Sequence, residues 1–215
     1  GIMCRSCDLS MGLGSSSLTM VELVQAYSVF ASYGKLIEPY YIESVKDRDG
    51  TIIEAHVPVA PKEVMRPAVA GITTWLLEQV ATGGTAAKTN RLKLHVAGKT
   101  GTTNDFFDAW FVGFNPDILA ASWVGYDTPK SMGQSFTGGD IALPIWMDFM
   151  REAIPESKDR RFPPIPKVNW VTINELTGLL ATDGRRVPML PGTQPTNIMG
   201  SSDQKTVEDL IGDDF

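Results

Sequence analysis

Residues 97–104 constrain this chain more than any other segment, because they read Ala-Gly-Lys-Thr-Gly-Thr-Thr-Asn. In an extended strand, residues two apart share a face, so Thr100 and Thr102 would project their hydroxyls to the same side. Gly101 has no side chain, so a ligand backbone could approach this strand and pair with it. Lys99 adds a compact positive charge. The segment predicts one wall of a binding site. The tripeptide Lys99-Thr100-Gly101 alone, however, fits a plain strand with an exposed lysine equally well.

A phosphate-binding loop is the first alternative, because Gly98-Lys99-Thr100 is also how a Walker A motif ends. That motif needs a glycine five residues before Gly98, and this chain has Lys93 there. A Walker lysine should also open a helix, whereas an alternating aromatic run follows here. The sequence therefore disfavours nucleotide binding.

Lys-Thr-Gly is also one of three motifs in serine β-lactamases and penicillin-binding proteins, where it accompanies a Ser-x-x-Lys nucleophile and a Ser-x-Asn. No Ser-x-Asn occurs in this sequence. Ser-x-x-Lys occurs at Ser32 to Lys35 and at Ser202 to Lys205. The first spans Gly34, where a helix should end, and the second lies in an acidic tail. Neither is a credible nucleophile.

The wider sequence resembles class A penicillin-binding proteins over nearly its whole length, from about Leu9 to Thr196. The blocks that carry the resemblance are far more specific than the tripeptide. They are residues 99–105, 108–113, 123–127, 138–139 and 142–146, together with 9–16, 22–27, 177–181 and 191–196.

The resemblance implies the C-terminal part of a D,D-transpeptidase domain, which cross-links peptidoglycan stem peptides and is acylated by β-lactams. Lys99 and Thr102 would be the catalytic residues, with the Thr102 backbone amide as half of the oxyanion hole. Thr100, Gly101, Thr102 and Thr103 would bind substrate, the Thr100 and Thr102 hydroxyls meeting its terminal carboxylate. No cofactor or metal is implied. A penicillin-binding protein of this class acts outside the cytoplasm, at the periplasmic face of the inner membrane.

In the resembled family, the nucleophile and Ser-x-Asn precede the block at residues 14–16, so both would lie outside this chain. We therefore expect an incomplete domain that is inactive alone, and an exposed sheet edge that favours self-association or binding to the N-terminal part of the same protein. A non-catalytic interaction module and a β-lactamase-like hydrolase remain as alternatives.

Composition excludes some partners and supports a folded core. The chain has 215 residues, 43% of them hydrophobic, and a net charge of -6. The negative charge disfavours nucleic acid, and no apolar run is long enough to span a bilayer. Cys4 and Cys7 form a Cys-x-x-Cys without a following helix pattern, and a zinc site would lack suitably spaced histidines. We interpret them as incidental thiols.

The hydrophobic pattern predicts an α+β fold in which helices flank an antiparallel sheet. Thr19 and Glu22 form a capping box, Pro67 opens a second helix, and Pro144 opens a third. The apolar faces expected to be buried are Leu23, Ala26, Tyr27 and Phe30; Val69, Ile72, Leu76 and Val80; and Trp146, Phe149, Met150 and Ala153. A hairpin is expected over 40–55, and strands over 94–103, 107–114 and 118–126.

The resemblance and these patterns together divide the chain into three segments. The resemblance implies that residues 1–156 form the C-terminal portion of a transpeptidase domain. Residues 157–199 would form a small C-terminal β extension, indicated by the segment from Val168 to Ala181. Residues 200–215 are acidic and polar, and we expect them to be disordered.

Overall fold

Helices and short antiparallel strands alternate along residues 17–198, the part of the chain that this computed structural model describes. Three short helical turns, at Ala87–Leu92, Gly138–Ala142 and Glu156–Lys158, connect them. The elements in chain order are α1 (Met20–Ala31), β1 (Lys35–Leu36), β2 (Ser44–Lys46), β3 (Ile52–Ala55), β4 (Lys62–Glu63), α2 (Pro67–Gly83), β5 (Ala97–Thr102), β6 (Asp108–Phe114), β7 (Leu119–Gly125), α3 (Leu143–Ala153), β8 (Asn169–Ile173) and β9 (Arg185–Met189).

Helix α1 begins at the predicted capping box. The Glu22 amide donates to Thr19 Oγ1 at 3.2 Å, and the Thr19 amide donates to the Glu22 carboxylate at 2.9 Å. The helix ends before Gly34, whose φ of 105° lies in the left-handed region that favours glycine. Lys35 already belongs to β1, so it does not sit one helical turn from Ser32. The structure thus confirms that Ser32 and Lys35 form no helical Ser-x-x-Lys pair.

The central sheet has the order β5-β6-β7, with every neighbouring pair antiparallel. Thr100 lies opposite Phe111, and Phe111 lies opposite Ser122. The expected hairpin over 40–55 is present as β2 and β3. The predicted α+β architecture with an antiparallel sheet is confirmed.

The main core lies on one face of this sheet, between the sheet and α3. Trp146 of α3 packs edge-on against Phe111, with ring centroids 4.9 Å apart. The indole N–H of Trp146 donates to the carbonyls of Gly113 and Ala120, at 3.2 and 3.1 Å. These contacts bury the tryptophan almost completely while satisfying its polar atom, and they fix α3 against the middle of the sheet.

The buried faces of the helices match the predicted ones only in part. In α2 the buried residues include the small Gly71, Thr74 and Ala81, whereas Leu76 is 52% exposed. A Cβ on Gly71 would lie 2.7 Å from the Ile165 side chain, so close packing against the C-terminal segment selects small residues there. In α3, Met147 is buried and Phe149 is 52% exposed, and in α1 Ser28 and Val29 are the most buried residues. The apolar stripes were correct in part, because Val80 of α2 packs against the core and Trp146 and Met150 of α3 are buried as predicted.

Strands β8 and β9 form the small C-terminal β unit. The predicted segment at residues 168–181 contains β8, but the sequence pattern missed β9, which contains two arginines and a proline. The domain boundaries at 156 and 199 stay predictions. The predicted acidic tail at 200–215 lies outside the described residues, as do Cys4, Cys7, Ser202 and Lys205. Between residues 17 and 198, no helix is long and apolar enough to cross a membrane.

Candidate active site

Within residues 17–198, the Lys-Thr-Gly strand β5 is at an edge of the central sheet. The Thr103 amide donates to the Asp108 carbonyl at 3.1 Å, which marks this pair as hydrogen-bonded. Because hydrogen-bonded and non-hydrogen-bonded pairs alternate along an antiparallel ladder, Gly101 also exchanges bonds with β6, while Thr100 and Thr102 do not. The backbone N–H and C=O groups of Thr100 and Thr102 therefore point outward from the sheet edge, where an added strand could meet them.

The hydroxyls of Thr100 and Thr102 lie on the same face of β5, as strand alternation predicts. Thr102 Oγ1 accepts a hydrogen bond from the Gly138 amide at 3.0 Å. Thr100 Oγ1 lies 2.8 Å from Thr85 Oγ1. The two hydroxyls are thus held by two different segments, the turn that opens at Gly138 and the loop after α2.

Gly138 packs directly on the backbone of the sheet. A Cβ at this position would lie 2.4 Å from the Trp110 carbonyl oxygen and 2.5 Å from the Gly101 carbonyl oxygen. Real Cβ atoms do not approach oxygen so closely, so only glycine fits here without a backbone shift. The close approach brings the Gly138 amide within reach of Thr102.

An ion pair anchors the same turn from the other side. Lys88 Nζ donates to the Gly139 carbonyl and to Asp140 Oδ1, both at 2.9 Å. Asp140 also accepts a hydrogen bond from the Thr137 hydroxyl. The hydrogen bonds from Thr137 and Lys88 lower the pKa of the Asp140 carboxyl, so it stays ionised and keeps the turn attached to residues 87–92.

Lys99 is exposed, and its ammonium group folds back along the free edge of β5. Its Nζ donates to the Thr100 carbonyl at 2.9 Å and lies 3.5 Å from Thr100 Oγ1. That carbonyl is one of the groups that point away from β6. The charge of Lys99 thus lies beside the outward groups of the strand, where a bound anion would benefit from it.

Thr103 has a structural partner that the sequence did not reveal. Its hydroxyl oxygen accepts hydrogen bonds from the backbone amides of Phe107 and Asp108, both at 2.9 Å, and so closes the turn between β5 and β6. Its predicted part in substrate binding stays a prediction. Sequence reasoning also missed Thr85 and Lys88, because no local pattern marks residues that reach the site through the fold.

Comparison with known proteins shows the family of this chain. Residues 6–151 match the family model described as the penicillin-binding protein transpeptidase domain. The chain belongs to this family. Penicillin-binding protein 1A of Aquifex aeolicus is 39% identical over 189 residues, which cover 86% of this chain and 26% of that protein.

Solved structures agree with the family and the fold. The crystal structure of penicillin-binding protein 1A from Haemophilus influenzae matches with a TM-score of 0.82 and 27% identity, over 89% of this chain and 34% of that chain. Penicillin-binding protein A from M. tuberculosis, an imipenem acyl-enzyme complex, matches with a TM-score of 0.53 and 26% identity, over 67% of this chain and 33% of that chain. The chain thus spans about a quarter of the length of its curated relative and a third of these solved chains.

Proposed function

We propose that this chain supplies the Lys-Thr-Gly wall of a penicillin-sensitive serine D,D-transpeptidase, which joins peptidoglycan stem peptides by acyl transfer. The observation that carries the proposal is the outward-pointing Thr102 amide on an edge strand, beside the hydroxyls of Thr100 and Thr102. The family membership supports the same reaction class, and a related penicillin-binding protein is described as an imipenem acyl-enzyme.

In this proposal, the donor peptide or a β-lactam lies along β5 as an added strand. Its terminal carboxylate accepts hydrogen bonds from Thr100 and Thr102. The Thr102 amide donates to the oxygen that becomes negative when the carbonyl is attacked, and it is already oriented before the reaction. Lys99 stabilises the same developing charge and helps set the protonation of the groups that activate the nucleophile.

The nucleophilic serine and its partner lysine would come from sequence outside this chain. The serine would attack the donor carbonyl to form an acyl-enzyme, and the amine of a second peptide would then release the acyl group as a new amide. A β-lactamase-like hydrolase would use water in that second step, so the fate of the acyl-enzyme separates these two interpretations. A non-catalytic module would form no acyl-enzyme at all.

The proposed substrate also implies where the protein acts. Peptidoglycan stem peptides are joined outside the cytoplasm, so we place the site there, at the periplasmic face of the inner membrane. The negative charge of the chain disfavours a nucleic acid partner.

Labelling with a fluorescent penicillin tests the proposal. A longer protein that contains this chain and a further, upstream Ser-x-x-Lys segment should form a covalent adduct, whereas the 215-residue chain alone should form none. Intact-mass measurement gives the outcome for both. A penicilloyl adduct on any serine of the isolated chain would contradict the proposed position of the nucleophile, and a longer protein that is never acylated would contradict the transpeptidase assignment.

A further inference from the structure

A second concave site lies between α2 and the segment that leads into β8. This cavity of about 290 Å³ shares no residue with the Lys-Thr-Gly strand. Its volume is at the small end of the range for ligand sites in proteins. Its walls include aromatic residues from both sides of the cleft together with three ionisable side chains, namely Tyr33, Trp75, Trp170, Glu78, His95 and Arg161.

Glu78 is the only carboxylate among the residues that line this cavity. In residues 17–198 its side chain accepts no hydrogen bond and forms no ion pair, although it is half-buried. Burial raises the pKa of Glu78 to about 7, and the nearby His95 acts in the opposite direction. A carboxylate that has lost much of its water without gaining a protein donor is suited to a ligand that supplies the donor.

The aromatic walls are suited to an alkyl chain. Trp75 and Trp170 meet edge to face, with ring centroids 6.3 Å apart. Each ring already carries a guanidinium on it: Arg185 lies 5.6 Å from the Trp75 ring centre, and Arg186 lies 5.5 Å from that of Trp170. These guanidinium groups already occupy a face of each indole, so the rings supply a ligand with apolar contact area rather than with a further cation–π face.

The remaining charged groups limit what can bind. Asp159 accepts hydrogen bonds from the backbone amide and from Nδ1 of His95, so any charge on His95 has its own counter-ion. The Tyr33 hydroxyl donates to the Pro163 carbonyl at 2.7 Å, and burial raises its pKa to about 12, so it stays neutral. Arg161 is exposed and leaves a positive charge at the rim.

We propose that this cleft binds a primary alkylammonium group, with the ammonium on Glu78 and its methylene chain against the aromatic walls. A lysine-type side chain of a peptide carries this group, and so does a free amine. An anionic ligand would face the Glu78 carboxylate, and a neutral alkyl group would leave that carboxylate without a donor. Arg161 at the rim weakens binding but does not block it.

Ligand-detected NMR on the full chain tests this with three probes of matched size: n-butylammonium, n-butanol and butyrate. Butylammonium should bind at pH 8, and the alcohol and the carboxylate should bind at least about tenfold more weakly, because the ion pair with Glu78 is lost. A fourth probe, Nα-acetyl-lysine methylamide, distinguishes the two possible carriers of the ammonium group. Tighter binding than butylammonium indicates a lysine-type side chain of a peptide, and equal binding indicates a free amine. Equal binding of butyrate, or no binding of butylammonium, would overturn the proposal.

Two variants separate charge recognition from cavity shape. Glu78→Gln should weaken butylammonium binding about tenfold, whereas Arg161→Gln should tighten it severalfold, because it removes a like charge. Butylammonium affinity of the unmodified chain should rise between pH 6 and 8 as Glu78 ionises beside His95, Tyr33 and Arg161. Unchanged affinity in Glu78→Gln with an unchanged melting temperature would contradict the assignment. Neither variant touches β5, so penicillin acylation of the longer protein tests the proposed function independently.

Discussion

Thr85 Oγ1 lies 2.8 Å from Thr100 Oγ1, so the loop after α2 is connected to the Lys-Thr-Gly strand by a hydrogen bond between two hydroxyls. A hydroxyl is both donor and acceptor. If Thr85 accepts, the proton of Thr100 is turned away from an incoming carboxylate; if Thr85 donates, the Thr100 proton is free for the ligand. Thr85 can therefore orient a group that the proposed reaction uses, although it lies 15 residues earlier.

Replacing Thr85 with valine should lower the second-order rate of penicillin acylation about fivefold in the longer protein. The loss of one hydrogen bond that positions Thr100 costs about 1 kcal/mol. Thr82→Val is the matched control, because the Thr82 hydroxyl donates to the carbonyl of Glu78 within α2 and not to the site. Equal acylation rates in the two variants would show that Thr85 does not orient Thr100.

Gly138→Ala should destabilise the fold by about 2 kcal/mol, because the added Cβ would meet the carbonyl oxygens of Trp110 and Gly101 at 2.4 and 2.5 Å. For a chain of this size, that corresponds to a melting temperature roughly 4–8 °C lower. Gly83→Ala is the control, because a Cβ there would meet nothing within 4 Å. Thermal unfolding followed by circular dichroism gives both values, and a Gly138→Ala protein as stable as Gly83→Ala would contradict the packing.

Local sequence signals predicted the elements well, because each of those signals acts over a few residues. The capping box of Thr19 and Glu22, the helix start at Pro67 and the strands around residue 110 all depend on neighbours along the chain. The buried face of α2 was predicted only in part, because it also depends on Ile165, almost a hundred residues away, which packs closely on Gly71. Strand β9 was missed because its buried residues, Val187 and Pro188, are consecutive rather than alternating.

The features of the candidate site that are local along the chain were predicted from the sequence, and its long-range contacts were not. Strand geometry predicted that Thr100 and Thr102 share a face, and the register with β6 explains why the Thr102 amide points outward. The contacts that hold them, from Thr85 and from Gly138, join positions 15 and 36 residues apart. Such contacts arise only once the chain has folded, so no local pattern reveals them.

Lys99→Ala should reduce the acylation rate of the longer protein about a hundredfold, with little change in melting temperature. One well-placed electrostatic contact to a developing anion contributes about 3 kcal/mol to the barrier. Lys99 is exposed and donates only to Thr100, so its loss should scarcely affect folding. Lys93→Ala is the control, since Lys93 pairs with Glu156 away from β5. An acylation rate equal to that of the unmodified protein would remove Lys99 from the mechanism.

The outer edge of β7 should support association between copies of this chain. The Asn115 amide donates to the Ile118 carbonyl at 3.0 Å, so the alternation places the amide of Ala121 on the side away from β6. Sedimentation should show the average mass rising with concentration. Ala121→Pro removes an outward donor and should reduce the association while leaving the β6 pairing intact. A constant monomer mass at high concentration would show that the edge of β7 does not mediate association.

The stability of the chain should fall as the pH rises towards and through 7, because of Glu78. Its pKa is about 7 in the folded protein, above the ordinary value of 4.5, because burial disfavours the carboxylate. The folded state therefore holds a proton that the unfolded state has released between these values, and the stabilisation present at low pH is lost as Glu78 ionises. Allowing for partial exposure, the loss is about 1 kcal/mol, or roughly 2–4 °C in melting temperature.

The Glu78→Gln variant should have the melting temperature of the unmodified chain at pH 5 and a higher one at pH 8. Glu152→Gln is the control at an exposed position of α3, and it should have the melting temperature of the unmodified chain at both pH values. A pH 8 melting temperature unaffected by Glu78→Gln would show that the carboxylate is better solvated than its position indicates.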